Sequence, residues 1–357
     1  MIYKDYFNGD YILSLPDKNG EMPEIVVICS HDRGPGKTTY MSGYLLNNYI
    51  KNNRQFVLLT RTKQKLGRVA SGVLNSFINV FHPGYSIVEH VVTTAYSEIC
   101  LRRRSDDDQS KYEEEICGYV VAINGASDIK ECSSEFANVD NIFFDEFMPK
   151  TKESYLSNEV EKVKDIFDSI ARGPSSEPGK HIRPCRLILC SNTISLGNPY
   201  FTELQLNSKI QKDTKVYRGD GIVFERVEVE GLAEEHATRP FHRAFGDDKK
   251  PSNIWINDDG ALVAKPLSWG QGMYIATLTY FDKCFGLLHY PASGFFYISR
   301  SYDKFAKNII PLTIGPKINK AITVLNPIMK EIRDNFFLGL VRVNDQELQE
   351  LLYKLYY

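Results

Sequence analysis

Residues 31 to 39 read His31-Asp32-Arg33-Gly34-Pro35-Gly36-Lys37-Thr38-Thr39, directly after the apolar run EIVVIC and ahead of a helix-like stretch from Lys37 to about Asn52. Glycines at such a junction let the backbone curl until its N–H groups point at an anion. The start of a helix adds favourable partial charge. A lysine there bridges the β- and γ-phosphates of a nucleotide, and the hydroxyl beside it ligates Mg²⁺. Lys37 and Thr38 are the residues expected in those places. His31 stands where the phosphate-loop pattern wants its first glycine, so the loop is expected to be reshaped, or His31 to touch the nucleotide.

Three further positions fit the same chemistry. VDNIFFDEF (139–147) ends a buried run in Asp145 and Glu146, delivering both acids to one edge of a sheet. Asp145 would hold Mg²⁺ through water, and Glu146 would orient and deprotonate an attacking water. A strand simply ending in solvated acids is the bland alternative, weakened by the phosphate loop. RLILCSN (186–192) ends in Ser191-Asn192. A polar side chain there, beside the phosphate loop, touches γ-phosphate and water and so reports hydrolysis, although an Asn at such a place also starts turns. Arg172 closes an amphipathic helix built on Val160, Val163, Phe167 and Ile170. It complements the helix dipole, and it would also serve as an arginine finger for a neighbouring subunit.

These residues need a scaffold of buried parallel strands, and the pattern supplies one. EIVVIC, QFVLLTR, CGYVVAIN, NIFF and RLILC are continuous apolar runs alternating with helical segments, which means an α/β fold on a largely parallel sheet. A helix is expected over 64–81 and strands at 86–94 and in SEICLRR, with SDDDQSKYEEE as a solvated hairpin tip. After about residue 207 the chain turns polar, and from about 248 it becomes strand-rich before a helical tail. Three domains are expected over its 357 residues: 1–207 carrying the nucleotide, 208–247 as a small linker, and 248–357 as a second α/β or α+β domain.

Composition narrows the class. Lys and Arg total 43 against 45 Asp and Glu, a formal charge of −2, which excludes a polycationic nucleic-acid coat. Any grip on nucleic acid is local. Seven cysteines without a C-x-x-C pair point to reduced, buried thiols and no zinc site. The charged N-terminus and the absence of an ~18-residue apolar run predict a soluble, intracellular protein. Tyr3, Tyr6 and Tyr11 offer rings for stacking a base, or they simply pack.

RGPGKT, then FFDEF, then LCSNTISLGNPYF together resemble the DNA-packaging ATPases of phi29-like bacteriophages, densely over residues 24–205 and more thinly to FGLLHYPASGFFYISR. The resemblance implies a homo-oligomeric, pentameric ring of the FtsK/HerA-like branch of additional-strand ATPases. Such a ring works in the host cytoplasm, transiently on the portal vertex of a procapsid, with a packaging RNA as partner. It drives double-stranded viral DNA inward with ATP and Mg²⁺. The C-terminal domain is then an RNase H-like fold that has lost its nuclease acids, so no nuclease activity is expected. Carried over by residue, Lys37 and Thr38 hold phosphate, Asp145 and Glu146 are the Mg²⁺ and catalytic acids, Asn192 is the sensor and Arg172 acts in trans. Lys130 lies near a second trans-acting lysine. Arg61, Lys63 and Arg68 match a segment facing the DNA channel, with Lys150 and Lys152 as further channel candidates. Two other readings stay open: another P-loop translocase or helicase, and a nucleotide-gated nucleic-acid-binding scaffold.

Overall fold

The computed structural model describes residues 2–30, 34–104, 111–149, 155–172, 182–192, 198–206, 209–210, 214–232, 235, 238–240, 272–291, 294–315, 317–337, 340–343, 348, 351–352 and 355–356. The chain forms two compact units, residues 1–147, 155–192 and 214–252 in the first and residues 148–154, 193–213 and 253–357 in the second. No helix among the described residues is long and apolar enough to cross a membrane.

The first unit is built on a ten-stranded sheet. Its strands are β1 (Ile2–Tyr3), β2 (Ile25–Ser30), β3 (Gln55–Thr60), β4 (Tyr85–Val91), β5 (Tyr96–Arg104), β6 (Tyr112–Ala122), β7 (Val139–Asp145), β8 (Arg186–Ser191), β9 (Val216–Arg218) and β10 (Ile222–Val229). They lie in the order β1-β10-β2-β8-β7-β3-β6-β5-β4, with β9 paired to β10 outside that path. Every neighbouring pair from β1 to β6 is parallel, and β5 and β4 add an antiparallel edge. β2, β3 and β8 are each buried at five of six positions, as strands covered on both faces must be. β8 is the additional strand, inserted between the strand that feeds the phosphate loop and the strand that carries the acids.

Helices α1 (Asp10–Ser14), α2 (Lys37–Asn52), α3 (Val69–Phe81), α4 (Ala126–Ile129) and α5 (Glu159–Ala171) accompany this sheet. Met41, Leu45 and Leu46 of α2 join Leu74 and Ile78 of α3 over Val26, Ile28, Phe56 and Leu58. Burying each such aliphatic side chain stabilises the fold by about 1.5–3 kcal/mol. α5 packs on α4 and β7. The helix expected over 64–81 begins only at Val69, because Gly67 takes a left-handed φ of 87° and interrupts the turn that starts at Lys63.

The boundary expected at residue 207 is corrected. Residues 214–252 belong to the first unit, and β10 lies inside its sheet between β1 and β2. The charges in IVFERVEV disguise it as a polar linker. Glu225 and Arg226 are nevertheless buried, and the Tyr3 hydroxyl donates to Glu225 Oε1 at 2.7 Å. Only the fold brings Tyr3 to a carboxylate 222 positions away.

The second unit includes α6 (Pro199–Glu203), whose Asn198 cap accepts from the Phe201 amide at 2.9 Å. Its sheet contains β11 (Met273–Tyr280), β12 (Lys283–Tyr290), β13 (Phe295–Ser299), β14 (Ile309–Pro311) and β17 (Val341–Val343), in the order β14-β11-β12-β13-β17. The short β15 (Thr313–Ile314) and β16 (Lys317–Ile318) pair apart from it. β11, β12 and β13 form an antiparallel meander, while β14 runs parallel to β11 and β17 parallel to β13. α7 (Ile322–Leu325) and α8 (Pro327–Phe337) follow, and Met329 and Ile332 of α8 share a core with Leu278, Leu287 and Ile298. Residues 251–271, within the strand-rich stretch expected from about 248, lie outside the described residues.

Candidate functional site: a phosphate-loop cleft at the strand ends

Strand register brings the candidate residues together. Cys29 pairs with Ser191 and Asp145 pairs with Cys190, so β2, β8 and β7 end side by side. Ser30, Asn192 and the Asp145-Glu146 pair therefore share one edge. From Ser30 the chain passes into the phosphate loop, of which Gly34, Pro35 and Gly36 are described. Gly34 has φ 84° and Gly36 has φ 93°, a region closed to most side chains. Gly36 is the N-cap of α2 and turns the chain directly into Lys37. His31, Asp32 and Arg33 lie outside the described residues.

Lys37 is 3% exposed. Its ammonium group donates to the Ser30 hydroxyl and, at 2.7 Å, to Asn192 Oδ1. A buried cation of this kind needs polar partners. Both come from strand ends that are far apart in sequence. One residue on, Thr38 Oγ1 donates to Asp145 Oδ2 at 2.8 Å. Burial pushes the Asp145 carboxyl above the usual range, opposed first by that hydrogen bond. Hydroxyl and carboxylate oxygens held together suit a hard divalent cation of the Mg²⁺ type. Thr39 is half-buried on the first turn of α2.

Glu146 follows Asp145 in a left-handed conformation, φ 53°, and its amide donates to Asp145 Oδ1 at 3.0 Å. Its carbonyl oxygen accepts from Arg61 Nη1 at 3.0 Å. The expectation that Arg61 faces DNA is corrected by these contacts. Its guanidinium also bonds the Phe147 carbonyl and Glu159 Oε2, and it lies over the Phe144 ring. Lys63 forms an ion pair with Asp128 at 3.1 Å, and Lys130 forms one with Asp165 at 3.2 Å. Arg68 is exposed, and Lys150 and Lys152 lie outside the described residues.

Arg172 is exposed just past α5, in extended backbone bridged to Ile182. The neighbouring Arg183 fixes this bend by donating to the carbonyls of Ile170, Arg172 and Phe136. Ser30, Glu159 and Arg183 escaped the sequence reading. Ser30 alone had a signal there, as the hydroxyl ending the strand before the loop.

A cleft of about 1070 Å³ runs from Gly34–Thr39 along α2 past Tyr44 and Asn47, with Tyr6 at its border. The three tyrosines considered for base stacking separate here. Tyr3 is tied to Glu225 and packs edge-on against Phe7 at 5.4 Å. Tyr11 is 39% exposed and lines no part of the cleft. Tyr6 is 72% exposed, beside Gly36, and the Phe7 amide anchors its segment to the Pro35 carbonyl at 2.7 Å. Elsewhere the fold gathers His90, Cys100 and Glu114, a grouping their spacing did not suggest, and Arg102 supplies a cation to Glu114 at 2.5 Å.

The family described as Podovirus DNA encapsidation protein (Gp16) matches residues 6–357. The DNA packaging protein of Bacillus phage phi29 is 24% identical over 334 residues, 91% of each chain. That of Bacillus phage B103 is 21% identical over 336 residues, 91% of this chain and 94% of the relative. In fold, the chain is similar to the bacteriophage phi29 viral genome packaging motor assembly (TM-score 0.51, 20% identity) and to the phi28 gp11 DNA packaging motor (TM-score 0.55, 15% identity), with 99% of each chain covered in both cases.

Proposed function

The chain belongs to the podovirus DNA encapsidation (Gp16) family, and from that premise we propose that it is an ATP-hydrolysing motor that moves double-stranded viral DNA into a preformed procapsid. One observation carries this reading. The Lys37 ammonium bound to Ser30 and Asn192, and Thr38 bound to Asp145, converge at adjoining strand ends. Lys37 and the loop amides bind the triphosphate. The exposed Tyr6 ring offers its face to the base. Thr38 and Asp145 are the residues that would hold Mg²⁺, which when bound screens the charge of the phosphates.

Glu146 accepts a proton from the attacking water, as its place one residue beyond Asp145 allows. Asn192, sharing Lys37 with the phosphate, senses whether the γ-phosphate is there. Arg172 reaches the site of the next subunit in a homo-oligomeric ring and stabilises charge on the transferring phosphoryl group. Its exposure beyond a braced helix end supports that role. Losing the γ-phosphate contact removes the differential interaction that favours one subunit arrangement over another. Lys63, Arg68, Lys150 and Lys152 track the DNA backbone without reading bases, and Lys130 acts at the subunit boundary. The portal of the procapsid and a packaging RNA complete the assembly, which works in the host cytoplasm.

Procapsids, DNA and ATP provide the test. The unaltered chain is expected to protect full-length duplex DNA from nuclease, whereas Glu146→Gln retains nucleotide and protects none. ATP turnover without any protected DNA would sink the packaging motor and leave another translocase.

A further inference from the structure

We propose that Arg61 is a positioning residue for hydrolysis, setting the backbone from which Glu146 reaches the water. The inference rests on the ATPase reading above and deepens it. Arg61 directly follows β3, the strand adjoining β7. Its side chain is 13% exposed and splits its donors three ways. Nη1 binds the Glu146 carbonyl at 3.0 Å, Nη2 binds the Phe147 carbonyl, and Nε binds Glu159 Oε2 at 3.1 Å. The Phe144 ring lies 5.0 Å from the guanidinium carbon and the Tyr155 ring 5.6 Å.

Both ends of this clamp are rigid. Glu159 has a side chain only 1% exposed and also accepts from the Leu156 amide at 2.8 Å, at the start of α5. Glu146 sits at φ 53°, a conformation unfavourable for a residue with a Cβ that persists where surrounding bonds impose it. Asp145 holds its amide and Arg61 holds its carbonyl. Relaxing that φ to the right-handed region would swing the Cβ, and the carboxylate with it, away from its present direction. A planar fork matches two adjacent carbonyls and a carboxylate at once, whereas a single ammonium does not. The clamp also joins the turn bearing Glu146 to the helix that ends at Arg172, so one side chain braces both.

ATP turnover by the full chain without DNA is the test, with Arg61→Gln and Arg61→Lys beside the unaltered protein. In both variants kcat is expected to fall about 10- to 100-fold, while KM and the affinity for a non-hydrolysable analogue stay within about threefold. A DNA-gripping arginine behaves oppositely: DNA-free turnover survives, only stimulation by DNA is lost, and lysine restores it. That result overturns the proposal. So does loss of nucleotide affinity in step with rate in both variants, which marks a merely structural contact. Nucleotide retention by the unaltered chain separates the two levels. A chain that splits ATP irrespective of residue 61 sinks only the role of Arg61, and a chain that never retains ATP sinks the reading beneath it.

Discussion

Lys37 shows how one side chain acquires a function from its neighbours. An ammonium buried to 3% exposure is costly alone, and here two strand-end oxygens compensate it. Triphosphate oxygens would compete for the same three donors, which links binding to the position of Asn192. Arg61 shows the reverse. The family resemblance places it on a segment facing the DNA channel, yet its guanidinium is committed to the Glu146 turn. The cysteines give a residue-scale prediction. Burial pushes the Cys100 thiol up to about 11 and the Cys185 thiol up to about 12, and it raises the Cys117 and Cys190 thiols as well. A raised thiol value leaves little thiolate at pH 8. The other five thiols are buried, so native protein is expected to label first with a maleimide at the half-exposed Cys284, more slowly at Cys132, whose thiol burial also raises, and all seven thiols should label in denaturant. Mass spectrometry of the labelled peptides counts them, and rapid native labelling of Cys117 or Cys190 would contradict the packing described.

Among the elements, β10 carries buried charges into the sheet, and one of their bonds reaches across the fold to Tyr3. Tyr3→Phe keeps the ring contact with Phe7 and removes the donor to Glu225. Removing that one donor from a buried carboxyl is expected to cost about 1 kcal/mol, read as a lower urea midpoint at unchanged slope. The sign with pH follows from the cause. Burial already raises the Glu225 carboxyl, and the Tyr3 bond lowers it by favouring the ionised form. Without that bond the folded value rises further, so the charge-dependent part of the deficit is absent where Glu225 is protonated in both states and grows as pH rises through its titration. Equal midpoints for parent and variant at pH 8 would show that β10 does not depend on this bond. Periodicity reads the phosphate-loop strand, the acid strand and α2 correctly because their apolar residues follow a single environment. It fails at β10, where alternating charges mimic a surface, and at residues 64–68, where Gly67 interrupts a regular apolar spacing.

For the whole molecule, the proposal that Arg172 completes a neighbour's site makes a prediction that one chain cannot satisfy. Arg172→Ala subunits supply intact acids, and Glu146→Gln subunits supply an intact arginine. Mixing them is expected to recover ATP turnover through the complementary interfaces, peaking near equal amounts. No recovery at any ratio would count against a site completed by a neighbour. Sequence alone determined which residues are chemically able to bind a triphosphate, and that they stand at the ends of buried parallel strands. Both facts are local, written in residue type and apolar spacing. Tertiary structure alone decided that Ser30 and Asn192 meet the same ammonium, that Arg61 holds the Glu146 turn, and that a charged segment near residue 225 completes the sheet. Those outcomes depend on strand order and register, which join positions up to 222 residues apart and leave no mark in either sequence neighbourhood.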